Sequence, residues 1–212
     1  MTSIDSSQAD WDKGHGLLPA IIQDVDTAQV LMLGYMNEAA LQQTQDSGWV
    51  TFFSRSKQRL WTKGETSGHR LATVNVALDC DRDTLLVQAR RTGPVCHLGS
   101  RTCWGGEAPA GIGFIGELSA IIRQRADQQA DSSYTSQLLQ RGLPRIAQKV
   151  GEEGVEAALA AVCGDADELT GEAADLIYHL LVLLQARGLS INQICECLAQ
   201  RHQQRSPEHP GD

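Results

Sequence analysis

The apolar period of this chain changes once along its length, and that change limits the folds open to it. From 18 to 104 the hydrophobic residues fall in short, strand-like runs: "LPAIIQD", "AQVLMLGYM", "GWVTFFSR", "LATVNVALDC" and "TLLVQARR". From 114 onward they recur at three-to-four spacing, through Phe114, Leu118, Ile121 and Ile122, with Arg125 continuing the same series. Between the two lies "GGEAPAGIG" (105–113), whose Gly/Pro/Ala composition reads as a linker. The spacing therefore predicts an α+β chain: a β-rich N-terminal domain over 1–107, then an all-α helical bundle over 114–212.

One helix interrupts the β-rich half. In "NEAALQQTQDSG", Asn37 is placed to cap the first turn and Gly48 falls just past the last. Further helices are expected near 135–141, 144–163, 166–187 and 190–202, the last opened by a capping box of Ser190 and Gln193. The tail "QQRSPEHPGD" (203–212) has the composition of a disordered segment.

Charge and hydropathy narrow the partners. A formal charge of −8 disfavours nucleic acid or an anionic membrane, but not a phosphorylated metabolite met by locally gathered cations. No apolar run is long enough to span a bilayer, and "MTSIDSSQADWDKGHG" has no basic or apolar leader region, so a cytoplasmic location is expected. In a reducing compartment the six cysteines read as thiols, some of them metal ligands.

The chemistry-bearing stretch of the first half is "DCDRD" (79–83), which crowds three carboxylates and a thiol into five positions. An EF-hand loop is excluded, because the sixth position is Thr84 rather than Gly and the twelfth is Arg90 rather than Glu. If the segment is extended, Val74, Val76, Leu78 and Cys80 share one face, and Asn75, Ala77, Asp79, Asp81 and Asp83 share the other. A soft ligand would then point away from a hard set. A solvated acidic turn is the plain alternative. Downstream, "GPVCHLGSRTCW" adds Cys96 and Cys103, which with Cys80 make a three-thiolate set suited to a catalytic zinc with an open fourth position. His97 could be a fourth ligand, a general base or an ordinary polar residue; its adjacency to Cys96 favours a base. In "SRSKQRLWTKGETSGHR" (54–70) five cations face a single acid, with Trp61 interleaved. That suits a phosphorylated ligand carrying an aromatic base, although a solvated basic hairpin has the same composition.

Taken in order, "MLGYMNEAAL", "FFSRSKQRLWTKGETSGH", "DCDRDTLL" and "CHLGSRTCW" closely resemble phosphoribosyl-AMP cyclohydrolase of histidine biosynthesis over roughly 15–107. The resemblance implies a homodimer with zinc at the subunit interface, on Cys80 of one chain and Cys96 and Cys103 of the other. It also implies magnesium on Asp79, Asp81 and Asp83, and substrate contacts from Arg55, Lys57, Trp61, Lys63, Glu65, Ser67 and His69. The ligands suit the reaction. Ribosylation at N1 makes C6 of adenine electrophilic, and zinc lowers the pKa of a water from about 15.7 towards about 7. Attack at C6 and cleavage of the N1–C6 bond open the ring, with His97 taking or relaying the proton.

In the second half, Lys149, Glu152, Glu153 and Glu156 fall on one helical face, while Val155, Leu159 and Val162 form a separate apolar stripe. Glu172 and Asp175 stand one turn apart on the next helix, which is otherwise apolar nearly all round. A divalent cation between the helices would offset the cost of burying them. The run "YTSQLL…KVGEEGVEAALAAV…EAADLIYHLLVLL" resembles phosphoribosyl-ATP pyrophosphatase over roughly 114–202. This implies magnesium on Glu153, Glu156, Glu172 and Asp175, a water positioned or a second ion held by Glu152, and a phosphate met by Lys149. Cys163, Cys195 and Cys197 read as helix-packing thiols.

The two families catalyse consecutive steps, and fusions in this order are known. The expected substrates are accordingly phosphoribosyl-ATP and phosphoribosyl-AMP. Two rivals remain: a house-cleaning pyrophosphohydrolase fused to another zinc hydrolase, and a zinc-stapled dimerisation module without catalysis. The acidic interhelical pairs argue against the second, since dimerisation needs no such carboxylates.

Overall fold

A computed structural model describes residues 4–105, 109, 111–128 and 133–205. The chain divides into two compact units, Met1–Phe114 and Ile115–Asp212. Of the expected linker, residues 106–108 and 110 lie outside the described residues, as do 206–212 of the expected tail.

In the first unit, β1 (Leu18–Asp24) and β2 (Val30–Met36) form an antiparallel hairpin, with Leu18 opposite Met36 and Ile21 opposite Leu33. Helix α1 (Glu38–Ser47) follows directly. The Asn37 side chain accepts a 2.9 Å hydrogen bond from the Ala40 N–H, and Gly48 ends the helix in the left-handed region at φ 72°. Buried Thr44 then ties helix to strand, since its hydroxyl oxygen accepts from the Thr51 N–H at 2.9 Å. Strands β3 (Thr51–Ser54) and β4 (Arg59–Thr62) pair as a separate ribbon, so the basic stretch is a hairpin followed by a turn. Last come β5 (Leu71–Leu78) and β6 (Leu85–Arg91).

The main sheet has the order β2-β1-β6-β5, with β1 and β6 parallel at its centre and both outer pairings antiparallel. Alternation is clean on the central strands: Leu18, Ala20 and Ile22 of β1 and Leu85, Val87 and Ala89 of β6 are fully buried. On β5 it is not. The pairing with β6 slips between Thr73 and Asn75, so Leu71 and Val76 both reach the core from opposite parities, while Val74 is only partly buried. The strand also stops at Leu78, which leaves Cys80 exposed in a turn rather than on the apolar face. The extended reading of 79–83 is thereby corrected.

The second unit is all helical: α2 (Gly113–Gln128), α3 (Tyr134–Gln140), α4 (Leu143–Cys163), α5 (Ala166–Ala186) and α6 (Ile191–Arg205). Side-chain caps start three of them. Ser133 accepts from the Ser136 N–H, Asp165 from the Asp167 and Glu168 N–H groups, and Ser190 exchanges bonds with Gln193 in the expected box. Helix α6 persists through Arg205, so the first three residues of the expected tail are helical. The core gathers Ile122, Leu138, Ile146, Leu181 and Val182. The stripe Val155, Leu159 and Val162 does not join it: these residues are 60%, 58% and 83% exposed, because α4 turns Ile146, Glu153 and Ala160 inward instead. No single helix among the described residues is long and apolar enough to cross a membrane.

One glycine decides how the small ribbon meets the main sheet. A Cβ on Gly34 of β2 would run into the ring of Phe52, which is 2% exposed and stacks on Trp61 at 5.7 Å between centroids. Gly34→Ala is therefore expected to destabilise the first unit by about 1–3 kcal/mol, the usual cost of overpacking a filled core. Denaturant unfolding followed through tryptophan fluorescence measures it; an unchanged midpoint would mean the ring can move aside.

Candidate active sites

The acidic loop is shaped by its first aspartate. Past Leu78 the Asp79 N–H donates to the Thr84 carbonyl at 3.1 Å, and the Asp79 carboxylate accepts from the Asp83 and Thr84 N–H groups at 3.0 and 3.1 Å. Arg82, at φ 64°, completes the turn. As a result, ligand oxygens of Asp79, Asp81 and Asp83 lie within 4.8 Å of one another. A cation already stands among them: the Lys13 ammonium is 2.9 Å from Asp81 and 3.4 Å from Asp83. Its hydrogen bond to Asp81 holds that carboxyl below the usual range and Lys13 above its own. The stretch is thus a turn and an acidic trio at once. Three hard oxygens around a resident cation fit a hard divalent ion.

The thiols are arranged differently. Cys96 opens a tight turn in which its N–H donates to the Ser100 carbonyl at 3.0 Å and Gly99 sits at φ 86°. Hydrogen bonds from the Leu98 N–H and the Ser100 side chain hold the Cys96 thiol below its ordinary value. The Cys103 N–H is tied to the Leu31 carbonyl of β2 at 2.8 Å, and burial pushes its thiol up, with Cys96 adding to the shift. Lys63, 8% exposed, faces both thiols; burial lowers its pKa and the two sulfurs oppose that. So Cys96, Cys103 and Lys63 are brought together, and a pair of thiols with one already biased to thiolate fits a thiophilic ion. Cys80 does not join them: among the described residues the groups of three converging ligand side chains are both purely acidic. His97 is exposed, with its ring Nδ1 3.8 Å from the Cys96 sulfur.

The basic hairpin presents its cations outward. The Arg55 guanidinium lies over the Tyr35 ring at 3.9 Å, and Lys57 is exposed. Gly64 turns the chain at φ 81°, where a Cβ would strike the His69 backbone. Ser67 accepts from the His69 N–H at 3.3 Å, and the His69 ring packs against Gly93. Glu65 is held by Arg59, which keeps its carboxyl below the usual range. It therefore clamps the hairpin.

In the helical unit, α4 and α5 carry the second acidic trio, with ligand oxygens of Glu153, Glu156 and Glu172 within 4.8 Å of one another. Lys149 bridges Glu152 at 2.9 Å and Glu153 at 2.8 Å, which drives its pKa well up and theirs down. Gln148 at 2.8 Å and Arg145 at 3.4 Å also hold Glu152. Glu156 is pushed the other way, first by burial and then by Glu153 and Glu172. A hard cation fits here for the same reason as in the first unit. Asp175, exposed and one turn past Glu172, stands outside the trio. Its carbonyl instead accepts from Nδ1 of buried His179 at 2.9 Å, leaving Nε2 to accept from the Tyr134 hydroxyl at 3.2 Å. The same Nδ1 is 3.5 Å from Glu153. Of the expected packing thiols, Cys163 and Cys195 are exposed and Cys197 half-buried, so they do not fill the core.

Several of these groups escaped sequence reasoning. His179 was within reach of it, four residues after Asp175 on a helix already singled out. Arg145 and Gln148, at helical spacing before Glu152, were too. Lys13 was not, since 68 positions separate it from Asp81.

Comparison with known proteins agrees with this division. Residues 32–105 match the phosphoribosyl-AMP cyclohydrolase family and residues 115–202 match the phosphoribosyl-ATP pyrophosphohydrolase family. The histidine biosynthesis bifunctional protein HisIE of Vibrio cholerae is 56% identical over 199 residues, covering 93% of this chain and 95% of that one. The chain belongs to the HisIE family. The HisIE protein of Xanthomonas axonopodis pv. citri is 58% identical over 195 residues (92% and 93% of the two chains), and that of Shewanella oneidensis 55% over 204 (95% of each). Like its HisIE relatives this is a bifunctional enzyme of histidine biosynthesis, a phosphoribosyl-ATP diphosphatase and a phosphoribosyl-AMP cyclohydrolase. The α+β architecture with a helical C-terminal half is the one the sequence pattern predicts.

Lys149 is the cation nearest two of the carboxylates. Lys149→Met removes it, so the carboxyl pKa values of Glu152 and Glu153 are both expected to rise. Side-chain carbon NMR titration without divalent ions reads both; an unmoved Glu153 would show that the ammonium is not what depresses it.

Proposed function

We propose that pyrophosphate removal occurs in a helical domain, 114–212, with magnesium on Glu153, Glu156, Glu172 and Asp175. Ring opening then occurs in a β-rich domain, 1–107, with zinc on Cys80, Cys96 and Cys103 and magnesium on Asp79, Asp81 and Asp83. The observation that carries this reading is the presence of two separate acidic trios, one in each compact unit.

A triphosphate cannot approach three carboxylates unaided, and magnesium supplies the charge neutralisation that makes the approach favourable. Lys149, at the rim of the trio, offers an ammonium to a phosphate oxygen. Glu152 is fixed by Arg145, Gln148 and Lys149, so its carboxylate is held ready to orient a water towards the α–β linkage. His179 Nδ1, bonded to the Asp175 carbonyl, lies 3.5 Å from Glu153.

In the cyclohydrolase domain the exposed Arg55 and Lys57 take the substrate phosphate, Trp61 offers a ring beside the base, and Lys63, Glu65, Ser67 and His69 line the turn that follows. Zinc, when bound, supplies a Lewis acid that makes hydroxide available near neutral pH. His97 lies next to Cys96 and is exposed, so its ring is free to accept the proton lost by the attacking water. Lys63 places its amine beside the thiols, whose sulfurs favour its charged form against the effect of burial. That one chain brings Cys96 to Cys103 but not to Cys80 favours a zinc shared between two copies, and hence a homodimer. The exposed stripe Val155, Leu159 and Val162 offers such a dimer further apolar surface. Six free thiols suit the cytoplasm.

Single substitutions should separate the two activities. Glu153→Gln is expected to slow pyrophosphate release from phosphoribosyl-ATP by about 10²- to 10³-fold and leave ring opening of supplied phosphoribosyl-AMP largely intact. Cys96→Ser should do the reverse, so that phosphoribosyl-AMP accumulates. Bound zinc should fall in Cys80→Ser, Cys96→Ser and Cys103→Ser but not in Cys163→Ser, Cys195→Ser or Cys197→Ser. Loss of both reactions in either of the first two folded variants would refute independent sites, and full zinc in Cys80→Ser would refute the ligand set.

A further inference from the structure

The segment before β1 delivers a positive charge into the first acidic trio, and none of the reactions above uses it. Lys13 Nζ touches the Asp81 carboxylate at 2.9 Å, the Asp81 carbonyl at 3.3 Å and the Asp83 carboxylate at 3.4 Å. Its backbone is held in place. The Asp10 N–H donates to the Arg82 carbonyl within the loop at 2.7 Å, and the Asp10 carboxylate accepts from the Lys13 N–H at 3.3 Å. Trp11 packs on the core, with its indole N–H donating to the Ser6 carbonyl at 2.9 Å. The ammonium is therefore presented by a docked segment.

We infer that Lys13 is a built-in counter-cation of the Asp79, Asp81 and Asp83 site, which a divalent ion must displace in order to bind. This rests on the magnesium reading of that trio. A divalent ion takes carboxylate oxygens at about 2.0–2.6 Å. An ammonium bonded to the same carboxylates would then stand within a few ångströms of the ion and repel it. The loop does not need Lys13 to keep its shape, because the Asp79 carboxylate is bonded to the Asp83 and Thr84 N–H groups. Removing the lysine thus removes a competitor without unmaking the site. Lys13 is 44% exposed and Asp81 58%, so the competition is modest. Displacement frees a flexible ammonium beside the occupied site, where an anionic substrate group would meet it. The family match begins at residue 32, so this residue lies outside it.

The test titrates the full-length, zinc-loaded protein with Mn²⁺ and counts free ion by EPR, comparing wild type with Lys13→Met, Lys13→Arg, Asp81→Asn and the Lys13→Met/Asp81→Asn pair. Lys13→Met is expected to bind about two- to tenfold tighter at the sites that Asp81→Asn weakens, and Lys13→Arg to stay near wild type. In the Asp81→Asn background the lysine substitution should have a smaller effect, because only the longer Asp83 contact and the Asp81 carbonyl then hold the ammonium. Weaker or unchanged binding in Lys13→Met overturns the inference while leaving the metal site standing. Binding that Asp81→Asn leaves untouched overturns the metal site and the inference with it. A second measurement needs no variant of Lys13: Mg²⁺ should raise the acylation of Lys13 by acetic anhydride, read by peptide mass spectrometry, in wild type but not in Asp81→Asn. Labelling that Mg²⁺ leaves unchanged in wild type overturns the displacement.

Discussion

Carboxylates brought within 4.8 Å of one another repel, and each unit of this protein is built around such a trio. The first unit holds its trio with backbone: Asp79 accepts two N–H bonds inside a turn whose sharpest residue, Arg82, adopts a left-handed conformation. The second holds its trio with two packed helices, turning Glu153 into the bundle at 4% exposure. In both, a lysine from outside the trio offsets part of that repulsion. The two lysines differ in origin. Lys149 stands one helical turn from its carboxylates, while Lys13 arrives from the far end of the unit.

This electrostatic arrangement explains the inverted look of α4. An amphipathic helix normally buries its apolar stripe, yet here the acidic side faces α5 and Val155, Leu159 and Val162 face outward. Charge is gathered between the two helices, and apolar surface is left on the exposed side of α4. In the cyclohydrolase half Cys96 and Cys103 meet, while Cys80 stays in its own turn.

Local chemistry was legible in the sequence, and geometry between distant segments was not. Asn37, Gly48 and the pair Ser190 and Gln193 announce helix ends through short-range hydrogen bonding, and each performs that role in the fold. The acidic residues at 79–83 and at 153–172 stand out through their spacing, which already places several carboxylates within one turn or on one helical face. The extended reading around β5 failed at its end. Val76 and Leu78 do turn to the core, but the strand stops at Leu78 and the chain turns. Nothing in "LATVNVALDC" marks that stop or the slip between Thr73 and Asn75. On α4 periodicity identifies an acidic face and an apolar stripe and does not say which of them turns inward. Lys13 could not be found at all, because pairing across 68 residues depends on the finished sheet.

The parallel pairing of β1 with β6 also bears on how the chain is made. Gln23 and Gln88 lie 65 positions apart, so the central ladder of the sheet cannot close until β6 has been synthesised. Such long-range closure is slow compared with the docking of α4 on α5, which are consecutive helices joined by a short turn. Translation runs in the opposite sense to this difference in speed. The slower-folding half leaves the ribosome first and has the whole synthesis time of the helical half in which to finish its sheet. A fusion in the reverse order would release the β-rich half with its central strands newly made, and its unpaired edges exposed to neighbouring chains.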